Sequence, residues 1–357
     1  MTRKLNFSSG PAVLPEPVLR RAQAALWDLD GSGIGILEHS HRGPAFRAVL
    51  DRTTALIREV AGIGDDFAIL FVTAGATHHF TMVPQNFLGE AETADYCHTG
   101  IWSAKAMAEA RRFGAVHVAS SAAPAFDTTP RVQSYSAAPR YVHYTSNETI
   151  YGTQWPAPPA NPPAPLVCDA SSDLFSRPLP LDGHGLIYAG AQKNLGPSGI
   201  SLVIARKDFL ASHRANLSPL ADYMTYVDEG SMYNTPNTFG IFVIGEVVAW
   251  IRDQGGLAAM AEHNARKAAV LYDFLDHSQA WRAHARPGSR SNMNITFRGT
   301  SKELEAAMLA RAEDQGLSGL AGHRSVGGLR ASIYNAFPED GVHRLVALLD
   351  EVERAHR

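Results

Sequence analysis

Only two cysteines, Cys97 and Cys168, occur among 357 residues, and each lies in or beside a short apolar run. Their scarcity excludes a disulfide framework and a cysteine-based zinc site, and their setting reads as packed thiols in a reducing compartment. An excess of positive charge is missing too: 32 Lys and Arg against 35 Asp and Glu leave a formal net charge of -3. Without a polycationic field there is no general attraction to nucleic acid or to an anionic membrane. No apolar run reaches the roughly 18 residues of a transmembrane helix, and segment 1–7 leads into turn residues rather than the apolar core of a secretion signal. Tandem repeats are absent, and the adjacent His78 and His79 cannot share a helix face, so a metal pair is not expected. These absences describe a cytoplasmic protein that binds no nucleic acid, membrane or metal. Any anionic ligand must then be held by a local group of arginines and backbone amides.

Hydrophobic content of 45% with 19% charged residues supports a packed core rather than disorder, and the length favours two domains. Strand-like apolar runs alternate with helical patterns, which is an α/β signature. Two of these runs organise the rest. Leu166-Val167-Cys168 stops at Asp169, and Gly185-Leu186-Ile187-Tyr188-Ala189 leads into Gly190-Ala191-Gln192-Lys193. Open α/β sheets place their chemistry just beyond the carboxyl ends of their strands, so one strand delivers a carboxylate there and another a lysine. The pair suits pyridoxal phosphate, an aldehyde cofactor with a basic ring nitrogen: the amine forms an imine and the carboxylate partners the nitrogen. Gly190 and Gly196-Pro197-Ser198-Gly199 set Lys193 in a tight loop between apolar runs, at the base of a cleft rather than on a solvated helix. Taken alone, Asp169 reads equally as a helix-start residue after a strand.

Elsewhere the pattern predicts helices over 18–26 and 46–60, the first opened by Pro15 and Pro17. Between them Glu38-His39-Ser40-His41-Arg42-Gly43-Pro44 is a polar loop or an anion contact reaching toward a neighbouring active site. A strand over 67–72 runs into Thr73-Ala74-Gly75-Ala76-Thr77-His78-His79, a strand-turn-helix geometry that offers N–H groups to a phosphate but lacks a dinucleotide fingerprint. A non-catalytic nucleotide-binding protein would use the same turn. After a strand over 93–97, Trp102 either joins the core or covers a flat ring, ahead of a helix over 104–113. The strand over 141–144 ends in Asn147, Glu148 and Thr149, and the proline-rich 156–165 is a surface connector inside a domain. A polar loop over 229–238 precedes a break near Gly255-Gly256. Beyond it come helices from 257, over 302–312 and over 341–355, with strands over 292–297 and 328–333. Arg324 and Arg330 flank a glycine pair there, a setting for bidentate grip on carboxylate or phosphate.

Asn6-Phe7-Ser8-Ser9-Gly10-Pro11, Ser40-His41-Arg42-Gly43, Thr93-Ala94-Asp95-Tyr96, Asn147-Glu148-Thr149, Tyr188-Ala189-Gly190-Ala191-Gln192-Lys193-Asn194, Gly230-Ser231-Met232-Tyr233-Asn234-Thr235-Pro236 and the segment from Gly322 to Ala336 together span nearly the whole chain. In these motifs the sequence resembles the phosphoserine aminotransferases, of the class V group of fold-type I pyridoxal-phosphate enzymes. The resemblance implies a large, mostly parallel sheet domain over 16–256 and a smaller α/β domain over 257–357 with which residues 1–15 associate. It implies Lys193 as the imine lysine, Asp169 at the ring nitrogen, Trp102 stacked on the ring and Thr149 near the ring oxygen. Ala76, Thr77 and Gln192 would hold the cofactor phosphate, joined by the partner subunit's Asn234 and Thr235 in a homodimer. Ser9, His323 and Arg330, with the partner subunit's His41 and Arg42, would meet the substrates. Those are L-glutamate and 3-phosphooxypyruvate, giving O-phospho-L-serine and 2-oxoglutarate in serine biosynthesis, with a hydroxythreonine phosphate of pyridoxine biosynthesis as a second substrate.

One departure stands out. Many bacterial members carry Gly-Gly-Gly-Arg-Gly-Gln-Phe where this chain has Ala74-Gly75-Ala76-Thr77-His78-His79-Phe80. The arginine is lost at Thr77, so the substrate contacts it would make either pass to His79 or are not made at all. Transamination of the serine- or alanine-glyoxylate type shares every cofactor residue and is the nearest alternative. Cysteine desulfuration needs a mobile thiol, which neither strand cysteine offers.

Overall fold

Short apolar runs closed by turn residues build a seven-stranded sheet in the computed structural model, which describes residues 3–356. Met1, Thr2 and Arg357 of the terminal segments lie outside the described residues. Across the sheet the order is Phe67–Val72, Ser201–Arg206, His184–Gly190, Leu166–Asp169, Val142–Thr145, Thr93–His98 and Ala115–Ser121. Only Ser201–Arg206 runs against its neighbours, and the remaining pairings are parallel. The mostly parallel α/β architecture expected from the sequence is the one observed.

Both faces are covered, which is why the central strands read as nearly continuous apolar runs. Side chains alternate across a strand, so Leu202 and Ile204 enter one core with Phe242 and Ile244 of the helix Thr238–Asp253. Val203 and Ala205 enter the other, with Phe80 and Val83 of the helix Ala76–Phe87. Asp169 and Cys168 part in the same way, Asp169 facing one side of the sheet and Cys168 the other.

A third core is built on an antiparallel sheet of Trp281–Ala283, Asn294–Gly299 and Leu329–Ser332. The helices Gly256–His277, Lys302–Asp314 and Glu339–Ala355 pack on it. Leu5–Asn6 pairs in parallel with Leu317–Ser318, and Phe7 is wholly buried in this core. The helix Gly256–His277 ties this region to the large sheet: Asn264 Nδ2 donates to Ser176 O and Asn335 Oδ1, while the buried Lys267 donates to the carbonyls of Tyr334 and Phe337.

One element differs from its predicted bounds in a way that matters. The helix expected over 104–113 spans Ile101–Ala110, so Trp102 sits in a first helical turn rather than a loop. Ser103 Oγ accepts from the backbone N–H groups of Thr99 and Gly100 and donates to Gly100 O, folding the chain into helix directly after the strand. No helix among the described residues is long and apolar enough to cross a membrane.

Candidate active site

A cavity of about 230 Å³ opens beyond the carboxyl ends of the parallel strands, between the large sheet and the Arg330 strand. Asp169 is the last residue of its strand and pairs across the ladder with Thr145, so both side chains face the cavity. Ser171 donates to Asp169 Oδ1 twice, from its backbone N–H at 3.0 Å and from its hydroxyl at 2.6 Å. Both bonds fall on Oδ1, so Oδ2 keeps its acceptor capacity. Burial raises the Asp169 pKa, while the Ser171 hydroxyl and the charge of Lys193 hold it down.

Lys193 arrives from the neighbouring strand through a turn pinned on three sides. Ala191 donates to Ile200 O, Ala12 donates to Gln192 O, and Asn335 donates to Asn194 Oδ1. Its Nζ donates to Thr149 Oγ1 at 2.8 Å and lies 5.6 Å from the centroid of the Trp102 ring. Burial depresses its pKa, and the carboxyls of Asp169 and Glu148 oppose that shift. A lysine held this way offers more free amine at neutral pH than a surface lysine, which is what attack on a carbonyl carbon requires.

The helix Ala76–Phe87 points its N-terminus into the cavity, with Gly75 at the cap and no side chain closing it. The first N–H groups of a helix have no intrahelical partner and favour an anion. The space beside that N-terminus is open, since a Cβ at Gly75 would meet nothing within 4 Å, and Gly190 lets Gln192 pack close, since a Cβ there would come within 2.6 Å of Gln192 Oε1. Gln192 Oε1 and Trp102 Nε1 are buried without a hydrogen-bond partner among the described residues. A free carboxylate oxygen, a flat indole, an amine of depressed pKa and an anion cradle fit a phosphorylated pyridine aldehyde.

Arg330 closes the opposite wall. It is 9% exposed, its Nη2 donates to Ser9 Oγ at 2.7 Å and its Nη1 to Thr149 O at 3.4 Å. No carboxylate among the described residues pairs with it, so its charge is free for an anionic ligand. His323 lies beside it, and burial together with the neighbouring Arg330 lowers its pKa. It therefore meets a ligand at neutral pH as a neutral ring rather than as part of a cationic set.

The cavity brings together Ser9, Ala76, Thr77, Trp102, Thr149, Asp169, Gln192, Lys193, His323 and Arg330. It does not include His41, Arg42, Asn234 or Thr235, the residues anticipated from a second subunit. Arg42, Asn234 and Thr235 are exposed. Two expectations are corrected. His79 cannot contact substrate: it is wholly buried, bonded to Tyr223 Oη and Ser201 Oγ at 2.7 Å each, and burial pushes its pKa down to about 3. Its ring fills space beneath the helix because position 79 faces the core. Arg324 is exposed and does not line the cavity.

Sequence reasoning missed Ser171, which orients Asp169, and Lys105, whose Nζ lies 4.7 Å from the Trp102 ring centroid. The helical i, i+3 spacing from Trp102 would have found Lys105 once the helix start was known. Both cysteines are buried, with Cys97 pushed up to about 11 by burial and Cys168 raised further, so neither supplies a thiolate. A second cavity of about 210 Å³ lies behind the sheet on the Cys168 face. Its charged groups, Asp173 and Arg177, are already 3.6 Å apart as a pair.

The Aminotransferase class-V family model matches residues 4–345. The chain is 47% identical to the phosphoserine aminotransferase of Herpetosiphon aurantiacus, over 96% of this chain and 97% of that one. With the phosphoserine aminotransferase of Niallia circulans it shares 45% identity over 99% of each. Among solved structures it superposes on the phosphoserine aminotransferase from Bacillus circulans subsp. alkalophilus with a TM-score of 0.97 at 45% identity, covering 99% of both. For the PLP-bound phosphoserine aminotransferase from Trichomonas vaginalis the TM-score is 0.92 at 36% identity, over 98% of this chain and all of that one. An alanine–glyoxylate aminotransferase from Nostoc, 18% identical with a TM-score of 0.76, shares the fold alone.

Proposed function

The chain belongs to the phosphoserine aminotransferases of the class-V family, and from that premise we propose that it is a pyridoxal-phosphate-dependent enzyme moving the amino group of L-glutamate to 3-phosphooxypyruvate. The products are 2-oxoglutarate and O-phospho-L-serine. The observation that carries this reading is the convergence of Lys193, Asp169 and an open helix N-terminus on one cavity whose far wall is an arginine with no carboxylate partner among the described residues. When bound, pyridoxal phosphate supplies an aldehyde that condenses with amines and a protonated ring that accepts electrons from substrate Cα.

Each remaining task falls to a residue of this chain. Asp169 Oδ2 holds the proton on the ring nitrogen, and Ser171 keeps that carboxylate ionised and oriented. Trp102 and the Thr149 hydroxyl fix the ring, and the amides of Ala76 and Thr77 with Gln192 hold its phosphate. Lys193 Nζ would act as general base on the proton of substrate Cα and, within the same half-reaction, as the general acid that gives it up to the cofactor, with the two roles reversed for the keto acid. Arg330 grips a substrate carboxylate, and His323 donates a hydrogen bond beside it. The division into a large domain over 16–256 and a small one over 257–357, with the N-terminal residues on the latter, puts this cavity at their junction. His41, Arg42, Asn234 and Thr235 complete it from the second subunit of a homodimer.

Two measurements test the reading directly. The purified protein reconstituted with pyridoxal phosphate absorbs visible light, and borohydride traps an adduct that peptide mapping assigns to Lys193; no adduct there defeats the cofactor assignment. Light scattering gives twice the 38.5 kDa chain mass, and a fully active monomer defeats the shared site. Asp169→Ala weakens cofactor retention and slows proton transfer from Cα while leaving the trapped adduct on Lys193. Unchanged dissociation of the cofactor in that variant removes Asp169 from the ring nitrogen.

A further inference from the structure

Glu148 takes no part in the roles assigned above, yet it is 1% exposed beside the reacting amine. It lies in the two-residue strand Asn147–Glu148, immediately before Thr149, whose hydroxyl accepts from Lys193 Nζ. Its carboxyl fills the space over Gly100: a Cβ there would come within 2.5 Å of Glu148 Cδ and 2.6 Å of Oε2. Gly100 caps the helix that carries Trp102 in its first turn. A helix N-terminus favours negative charge, and the backbone amides of Trp102 and Ile150 favour the Glu148 anion. Neither carboxyl oxygen, however, has a hydrogen bond of good geometry among the described residues. Burial prevails and pushes the Glu148 pKa up to about 8, with Lys193 pulling it down and Asp169 pushing it up.

A buried carboxyl left without saturating partners is costly, and such groups collect where function uses them. On the reading that the cavity holds pyridoxal phosphate, we propose that Glu148 is a positioning residue that seats the Trp102 turn against the Thr149 segment and couples its carboxyl electrostatically to the Lys193 amine. Three titratable groups feel its charge: Lys193, Asp169 and Tyr151. A cationic nitrogen at Lys193, whether ammonium or protonated imine, favours ionised Glu148, and a neutral one favours the protonated acid. The two sites thus titrate as a linked pair, and Glu148 offsets part of the charge change each time that nitrogen gains or loses its proton.

The test follows the visible cofactor band of the reconstituted protein from acid to alkaline pH in the parent, Glu148→Gln and Gly100→Ala. Glu148→Gln removes the charge at nearly constant shape and lowers the midpoint by about one pH unit, because the cationic nitrogen loses a nearby anion; circular dichroism of the band is retained. Gly100→Ala meets only side-chain atoms of Glu148, from Cγ outward, and must push that buried side chain aside; where it folds it lowers the same midpoint and weakens the dichroism as the Trp102 turn shifts. It also carries the test should Glu148→Gln fail to fold. Parental midpoints in the variants that fold, at unchanged Tm, overturn the inference alone. A parent with neither the band nor an adduct at Lys193 overturns the cofactor reading and the inference with it.

Discussion

Lys193→Ala is expected to abolish transamination while the protein still folds and still retains pyridoxal phosphate non-covalently. Positioned proton transfer alone contributes roughly 10²–10⁴-fold, and loss of the covalent attachment adds to that. The remaining contacts explain retention. Asp169, fixed by two bonds from Ser171, and the uncapped helix at Gly75 do not depend on the lysine. The parental enzyme should also show a pH signature. Burial lowers the Lys193 pKa, and the amine must be unprotonated to act as base, so activity falls as pH drops through a limb lying below the ordinary lysine range. Single-turnover mixing with L-glutamate and a pH profile of kcat/KM check both statements. A Lys193→Ala variant turning over at the parental rate would assign the base elsewhere.

Arginine truncation should divide substrates by their charge. Arg330 is nearly buried and has no carboxylate partner among the described residues, so its removal costs a charge-assisted bond worth about 1.5–3 kcal/mol, a loss of roughly 10- to 150-fold in kcat/KM. Because every amino donor carries the carboxylate that Arg330 would hold, phosphoserine, serine and alanine should lose alike. Arg42→Ala should behave differently, depressing kcat/KM for phosphoserine far more than for serine, since only the phosphorylated donor brings roughly two further negative charges. The net charge of -3 provides no bulk attraction to compensate. With 2-oxoglutarate as common acceptor, the three donors in the parent and both variants decide the matter. Equal parental values for phosphoserine and alanine would reject phosphate specificity and leave a general class-V aminotransferase.

Local sequence was enough for the elements whose character is set by their own residues. Short apolar runs bounded by turn residues read as strands buried on both faces, and Asp169 and Lys193 stand at the ends of two of them, where α/β sheets do their chemistry. Their neighbourhood of small residues made the lysine loop recognisable, and Gly75 before a helix marked the anion cradle. The start of the Trp102 helix was not legible, because it depends on the Ser103 hydroxyl folding back onto Thr99 and Gly100 rather than on apolar periodicity.

What tertiary structure alone decided is the environment of each ionisable group, since burial and neighbouring charge come from residues distant in sequence. His79 looked available for substrate until packing against Tyr188 and Tyr223 placed it in the core. Arg330 meets Ser9 across 321 residues, and Glu148 meets Gly100 only because two parallel strands end side by side in the fold. Residue types and strand order therefore determined which chemistry this chain could carry. Desolvation, a property of the assembled interior and of no single segment, determined which of its histidines is neutral, which lysine amine is free to react and which carboxyl keeps its proton.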